Sequence, residues 1–131
     1  MHHWTAAVTN PQSLDAFAAD IGALPVDLHE VTLHRDGPRV RLRFDVAAVP
    51  HPLPARWDGD ANRTQVQLAC FGVSAFTLSG FATTMSGRLV MRPADGAWDV
   101  EFRVDDVVLA LRTSMVRVES LSGYYDPGEA G

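Results

Sequence analysis

Three side chains within six positions, His29, Glu30 and His34, are of types that hold zinc, because imidazole nitrogen and carboxylate oxygen are ordinary ligands of that ion. A metalloprotease places two histidines four apart on one helical face with the glutamate between them. Here the residues fall in an alternating, strand-like stretch, where three such side chains need not converge, and Glu30 has a simpler use opposite Arg43. No metal ligand set and no cofactor are assigned. Nucleophilic chemistry fares no better. Cys70 shares the inward register of Val66 and Leu68, where a thiol is a small hydrophobe without a basic activator. Ser74 and Ser79 lack the glycine-framed elbow of a serine hydrolase. Asp105 and Asp106 are adjacent and read as a turn pair. No glycine-rich phosphate loop occurs, and with no lysine in the chain the Gly-Lys form is impossible. The residues therefore predict a protein that is not an enzyme.

Charged residues offer binding instead. Arg39, Arg41 and Arg43 line one strand face and are spaced to track a phosphate backbone, but base-stacking aromatics do not interleave with them, and Phe44 points the other way. No nucleic-acid partner is expected, in keeping with sixteen acidic against eleven basic residues, a net charge of −5. All eleven bases are arginine, which a GC-rich genome explains. Asp99, Glu101 and Asp105 share one face of the Trp98–Val104 strand. With Asp95 in the adjoining turn, and Asp58 and Asp60 in a loop, they form a candidate acidic surface that would steer a basic protein. Trp57, beside that loop pair, is a candidate interface anchor or a core residue.

These groups must be held by β structure. Val40, Leu42, Phe44 and Val46 alternate with Arg39, Arg41, Arg43 and Asp45, a half-buried strand with one wet face. Joining it to Val31–His34 through Arg35-Asp36-Gly37-Pro38 pairs His34 with Arg39, Leu33 with Val40, Thr32 with Arg41, Val31 with Leu42 and Glu30 with Arg43. Val26 and Leu28 have the opposite parity, so a β-bulge is expected near His29–Glu30. Alternation recurs at Val66–Cys70, Phe76–Gly80, Leu89–Met91 and Trp98–Val104, the last two around a turn at Pro93–Gly96. Val107–Leu111 reads as a strand buried on both faces, and Met115–Leu121 as the final one. One helix is expected: Asn10 as cap, Pro11 in the first turn, Leu14, Phe17, Ala18 and Ile21 as an apolar stripe, and Gly22 and Pro25 as its end. Between Val49 and Arg63, Pro50, Pro52 and Pro54 exclude an interior strand and predict a strap over a sheet edge, or a functional loop.

The expected fold is thus mostly β, an antiparallel sandwich or partly open barrel of about eight strands with one N-terminal helix. At 131 residues it is a single domain, 1–125, with a loose tail at 126–131. No apolar run approaches the ~20 residues that cross a bilayer, no leader pattern is seen, and the single cysteine suits the cytoplasm.

The order of these features resembles a known family. Trp4 precedes a short helix, followed by DLHEVTLHRDGPRVRLRFDV, a proline-rich VPHPLPARW, NRTQVQLACFGV, FTLSGF and a terminal VRVESLSGYY. From Trp4 to Tyr124 the chain resembles the immunity protein 50 family of bacterial polymorphic-toxin systems. The resemblance implies a small, mostly β cytoplasmic protein that binds a cognate toxin, neither nucleic acid nor membrane, and blocks the toxin's active site or an adjacent exosite. It assigns no binding residues; Asp58, Asp60, Asp95, Asp99, Glu101, Asp105 and Trp57 are those the sequence itself suggests. Two other readings compete: a small-ligand barrel with Phe76, Met91, Trp98 and Phe102 around a cavity, and a metal enzyme built on His29, Glu30 and His34.

Overall fold

The computed structural model describes residues 2–127 and contains nine strands: β1 (His2–His3), β2 (Val26–His34), β3 (Arg39–Val46), β4 (Arg63–Phe71), β5 (Ala75–Ser79), β6 (Ser86–Ala94), β7 (Ala97–Val104), β8 (Val107–Thr113) and β9 (Met115–Tyr124). Of the expected tail, residues 128–131 lie outside the described residues. Pairing runs β5-β8-β7-β6-β2-β3-β4-β9, with β1 added to β6, and every strand pair is antiparallel. Strands β2 and β6 share only the pairs Val26–Gly87 and Asp27–Ser86. There the sheet turns from one four-stranded layer into the other, and both layers contribute to one core. The ends of the path, β5 and β9, do not pair, so the barrel stays open.

Alternation dictates what fills that core. Val40, Leu42, Phe44 and Val46 from β3 meet Val66, Leu68 and Cys70 from β4, and Met91, Val100, Phe102, Leu109 and Leu111 from the other layer. Trp4 is fully buried with its ring edge-on to Phe44, centroids 5.2 Å apart. Each such side chain removed from water contributes roughly 1.5–3 kcal/mol before the entropy of ordering is subtracted.

The β2–β3 register is the one read from the alternation, His34–Arg39 through Glu30–Arg43, and the bulge falls between Leu28 and Glu30. Glu30 and Arg43 form an ion pair at 3.8 Å. The β6–β7 turn is tighter than expected. Ala94 pairs with Ala97, leaving Asp95 and Gly96 as a two-residue turn with φ of 51° and 79°, the left-handed pair that matches strand twist and favours Asp-Gly. Asp105 and Asp106 do form the β7–β8 turn, with Asp105 at φ 49°. Strand β8 is not buried on both faces: Val107, Leu109 and Leu111 are buried, while Val108, Ala110 and Arg112 are partly exposed.

The N-terminal helix is replaced by short 3₁₀ turns at Pro11–Leu14 and Ile21–Ala23. Asn10 does not cap a helix, because its amide is bonded to the backbone of Val118 on β9. Asp20 instead accepts from the Gly22 N–H at 2.8 Å and starts a separate turn. A helix of about twelve residues is marginal in water, so such tertiary bonds override it. The apolar stripe nevertheless picked residues that pack: Ile21 joins the core, and Leu14 and Phe17 lie against it, while Ala18 stays exposed. Among the described residues no helix is long and apolar enough to cross a membrane.

Candidate functional site

The residues singled out in the sequence fall into two groups. Trp57, Asp58 and Asp60 belong to the strap between β3 and β4. Asp58 Oδ1 accepts from the Asp60 N–H at 2.9 Å, an Asx turn, and both acids are exposed. The Trp57 ring is half-buried and packs against Gly123 of β9, where a side chain would overlap it. The segment is thus a strap seated on the β9 end of the sheet.

The other group lies on the opposite layer. Alternation puts Asp99 and Glu101 on the outer face of β7, with Asp95 and Asp105 in the turns at its two ends. The neighbouring strands change the sign of that face. Asp99 stands between Arg92 of β6 and Arg112 of β8 in the pairing register, and Arg103 is paired with Arg88. Arg112 donates to both oxygens of Asp99, at 2.8 and 3.2 Å, and Arg103 donates to Glu101 at 3.1 Å. The hydrogen bond from Arg112 holds the Asp99 carboxyl below the usual carboxylate range. What the strand sequence presents as an acidic stripe is a lattice of two acids among four arginines.

This outer face carries a groove of about 520 Å³ lined by Thr77, Val90, Arg92, Asp99, Glu101 and Arg112. A second groove, of about 510 Å³, lies between the β2–β3 hairpin tip and the start of β5. Its wall is mainly apolar (Leu33, Val40, Val73 and Phe76), with His34, Arg35 and Arg39 at its rim. The two grooves share Ser74, Ala75 and Phe76, so they meet across β5, the free end of the sheet path. Leu33 occupies an inward position of β2 and is still 59% exposed, because no strand of the other layer covers the hairpin tip. Buried His34 Nε2 and Arg39 Nε beside it have no hydrogen-bond partner. A third, smaller cleft of about 210 Å³ lies along the same seam and is lined by His29, Val31, Leu78 and Phe81, the last 83% exposed.

His29, Glu30 and His34 do not form a metal centre, since Glu30 pairs with Arg43 and His34 lies beside Arg39. His29 joins a cluster that the sequence reading missed. Its Nε2 lies 2.8 Å from Asp45 Oδ2 and 3.5 Å from Asp27 Oδ2. Tyr124 reaches across β4 to donate its hydroxyl to the same Asp45 oxygen, and Arg63 Nε stands 3.9 Å from it. Burial, and then the bond to Asp45, push the Tyr124 phenol up to about 12. The signal was present: carrying the register past the bulge sets Asp27 opposite Asp45.

Met91 and Phe102, two of the four residues expected around a barrel cavity, are packed in the core, and none of these clefts is lined by them. Cys70 is buried, and burial pushes its thiol up to about 12, far from a nucleophile's range.

The described residues thus form an open antiparallel β sheet with grooves at its edge and a buried thiol. The family model for Immunity protein 50 matches residues 23–124, and the chain belongs to that family. It matches no curated protein and no solved structure. The match spans the hairpin, the strap and β4 through β9, and begins after Trp4 and the 3₁₀ turn at Pro11–Leu14.

Proposed function

We propose that this protein neutralises a cognate bacterial toxin in the cytoplasm by binding it and occluding its active site or an adjacent exosite. Family membership supports the immunity role and a protein partner. The observation that carries the choice of surface is the uncovered seam at β5. A free strand edge beside an apolar groove invites unwanted pairing unless something covers it. Leu33 and Phe81 are exposed along this seam, and Phe76 lies between two grooves of about 500 Å³ each. An extended toxin segment laid along β5 would bury Leu33 and Phe76, and a carboxylate or carbonyl on it would satisfy His34 and Arg39. Asp99 and Glu101 form the wall of the outer groove and set the charge pattern a toxin must match. Such an interface needs roughly 800 Å² per partner. The strap group of Trp57, Asp58 and Asp60 is a separate surface on the other layer, and is the second place to look.

The test is binding of the cognate toxin domain to purified variants, with protection of cells co-expressing both proteins. Leu33→Asp should raise Kd at least tenfold and abolish protection while the circular dichroism spectrum is unchanged. Joint reversal of Asp99→Arg and Glu101→Arg should change the association rate several-fold, since charge acts chiefly on the on-rate. Unchanged Kd and association rate in both variants would overturn the β5 surface. Weakened binding in Trp57→Ala alone would move it to the strap.

A further inference from the structure

We propose that Asp27, His29 and Asp45 form a binding site for a divalent transition-metal cation, with zinc as its probe. The proposal does not rest on the toxin surface above, although His29 also lines the cleft beside Phe81.

The chain geometry makes the site. Asp27 and Asp45 are direct cross-strand partners on β2 and β3, so two carboxylates face each other, an arrangement that repels unless a cation stands between them. The bulge after Leu28 adds one residue, and that residue is His29. One ligand atom from each of the three side chains lies within 4.8 Å of the other two. Zinc bonds oxygen and nitrogen at about 2.0–2.2 Å in a tetrahedral array, which puts neighbouring ligand atoms about 3.4 Å apart. The observed 3.5 Å between His29 Nε2 and Asp27 Oδ2 already fits, and the 2.8 Å to Asp45 Oδ2 needs only to open by about half an ångström.

A second observation points to a ligand. Asp45 is 1% exposed, and its Oδ1 is buried with no hydrogen-bond partner. A buried carboxylate oxygen left unpaired is costly. Arg63 stands 3.9 Å from the other oxygen, and the remaining contacts of that oxygen come from His29 and Tyr124, neither of them a fixed positive charge. A divalent ion would neutralise both carboxylates, and bound through Oδ1 of Asp45 it would give that atom the partner it lacks. Two carboxylates and one imidazole are a suitable donor set for a first-row cation. They leave a fourth position open. Tyr124, bonded to Asp45, would orient that ligand from outside the coordination shell.

The experiment is calorimetric titration of zinc into untagged, chelator-stripped protein, paired with thermal melts at rising zinc. We expect one ion per chain and a Tm that climbs with concentration, as for any ligand of the folded state. Asp27→Asn and His29→Ala, both at partly exposed positions that leave the core intact, should each weaken binding at least tenfold without changing the spectrum of the apo protein. Tyr124→Phe should weaken it by roughly tenfold and keep the stoichiometry. Asp15→Asn, at an exposed position outside the site, should bind as the wild type does. No binding, or binding unaltered by Asp27→Asn and His29→Ala, overturns the proposal. So does binding that survives those changes and is lost on replacing His2 and His3.

Discussion

Asn10 is joined to Val118 by two buried hydrogen bonds, its Nδ2 donating to the Val118 carbonyl at 2.8 Å and its Oδ1 accepting the Val118 N–H at 2.9 Å. One side chain thus does for the outer edge of β9 what a neighbouring strand would do. It also ties the N-terminal segment to the sheet 108 positions further along the chain. Removing the amide leaves a donor and an acceptor of β9 unpaired in a buried place, at about 1–3 kcal/mol for each such group before water re-enters. Asn10→Ala should lower stability by about 2 kcal/mol, measured as a lower urea midpoint with an unchanged m value.

Trp57 and Gly123 make the corresponding contact at the other end of β9. Gly123→Ala should push the indole out of its seat, because the new Cβ would overlap the ring. The expected cost is about 1–3 kcal/mol, with the fluorescence of Trp57 shifting to the red. In a Trp57→Ala background the same change should cost much less. An additive pair would show that the contact does not hold the strap.

Cys70 should ignore a thiol reagent in the native state. Burial raises its pKa from the usual value to about 12, so at pH 8 almost none is thiolate, and the sulfur is out of reach as well. Labelling should follow the unfolded fraction as urea is added. Rapid labelling without denaturant would contradict the packing of β4.

Tyr124 gives the protein an alkaline limit. Its folded pKa, about 12, exceeds the unfolded value near 10, so the folded state holds the proton more tightly. The stability this confers is fully present below pH 10 and is lost as pH rises from 10 through 12. Urea midpoints should therefore fall across that window. Tyr124→Phe should flatten the fall. In the acid range the sign is opposite for Asp20. Burial raises its pKa, but bonds from Thr5, His3 and the Gly22 N–H outweigh that and leave it lowered. The stability it adds is present above the ordinary carboxylate pKa and is lost as pH falls through the lowered one.

How much of this was legible in advance depended on the range of the interaction. The β2–β3 register and its bulge could be read because side chains alternate with period two and a slip would turn Leu33, Val40 and Leu42 to the wrong face. The same parity put Cys70 in the core and Asp99 with Glu101 on one outer face. It also drew the family resemblance, through the hairpin and the strap, which the match over residues 23–124 bears out.

Parity along one strand carries no information about the strand beside it. That Arg92 and Arg112 flank Asp99, reversing the character of an acidic stripe, follows from strand order, which the local pattern does not specify. The helix after Asn10 failed for a related reason: local propensity is worth tenths of a kcal/mol per residue, and two bonds to Val118 outweigh it. The cluster of Asp27, His29, Asp45 and Tyr124 needed both the bulge and the reach of β9 across β4. Sequence alone determined most of the strands, the alternating faces of β3, β4 and β7 and the hairpin register, because those are set by burial of alternating side chains. Tertiary structure decided which charges meet, which edge stays open and where a buried carboxylate lacks a partner, because those depend on contacts between residues far apart in the chain.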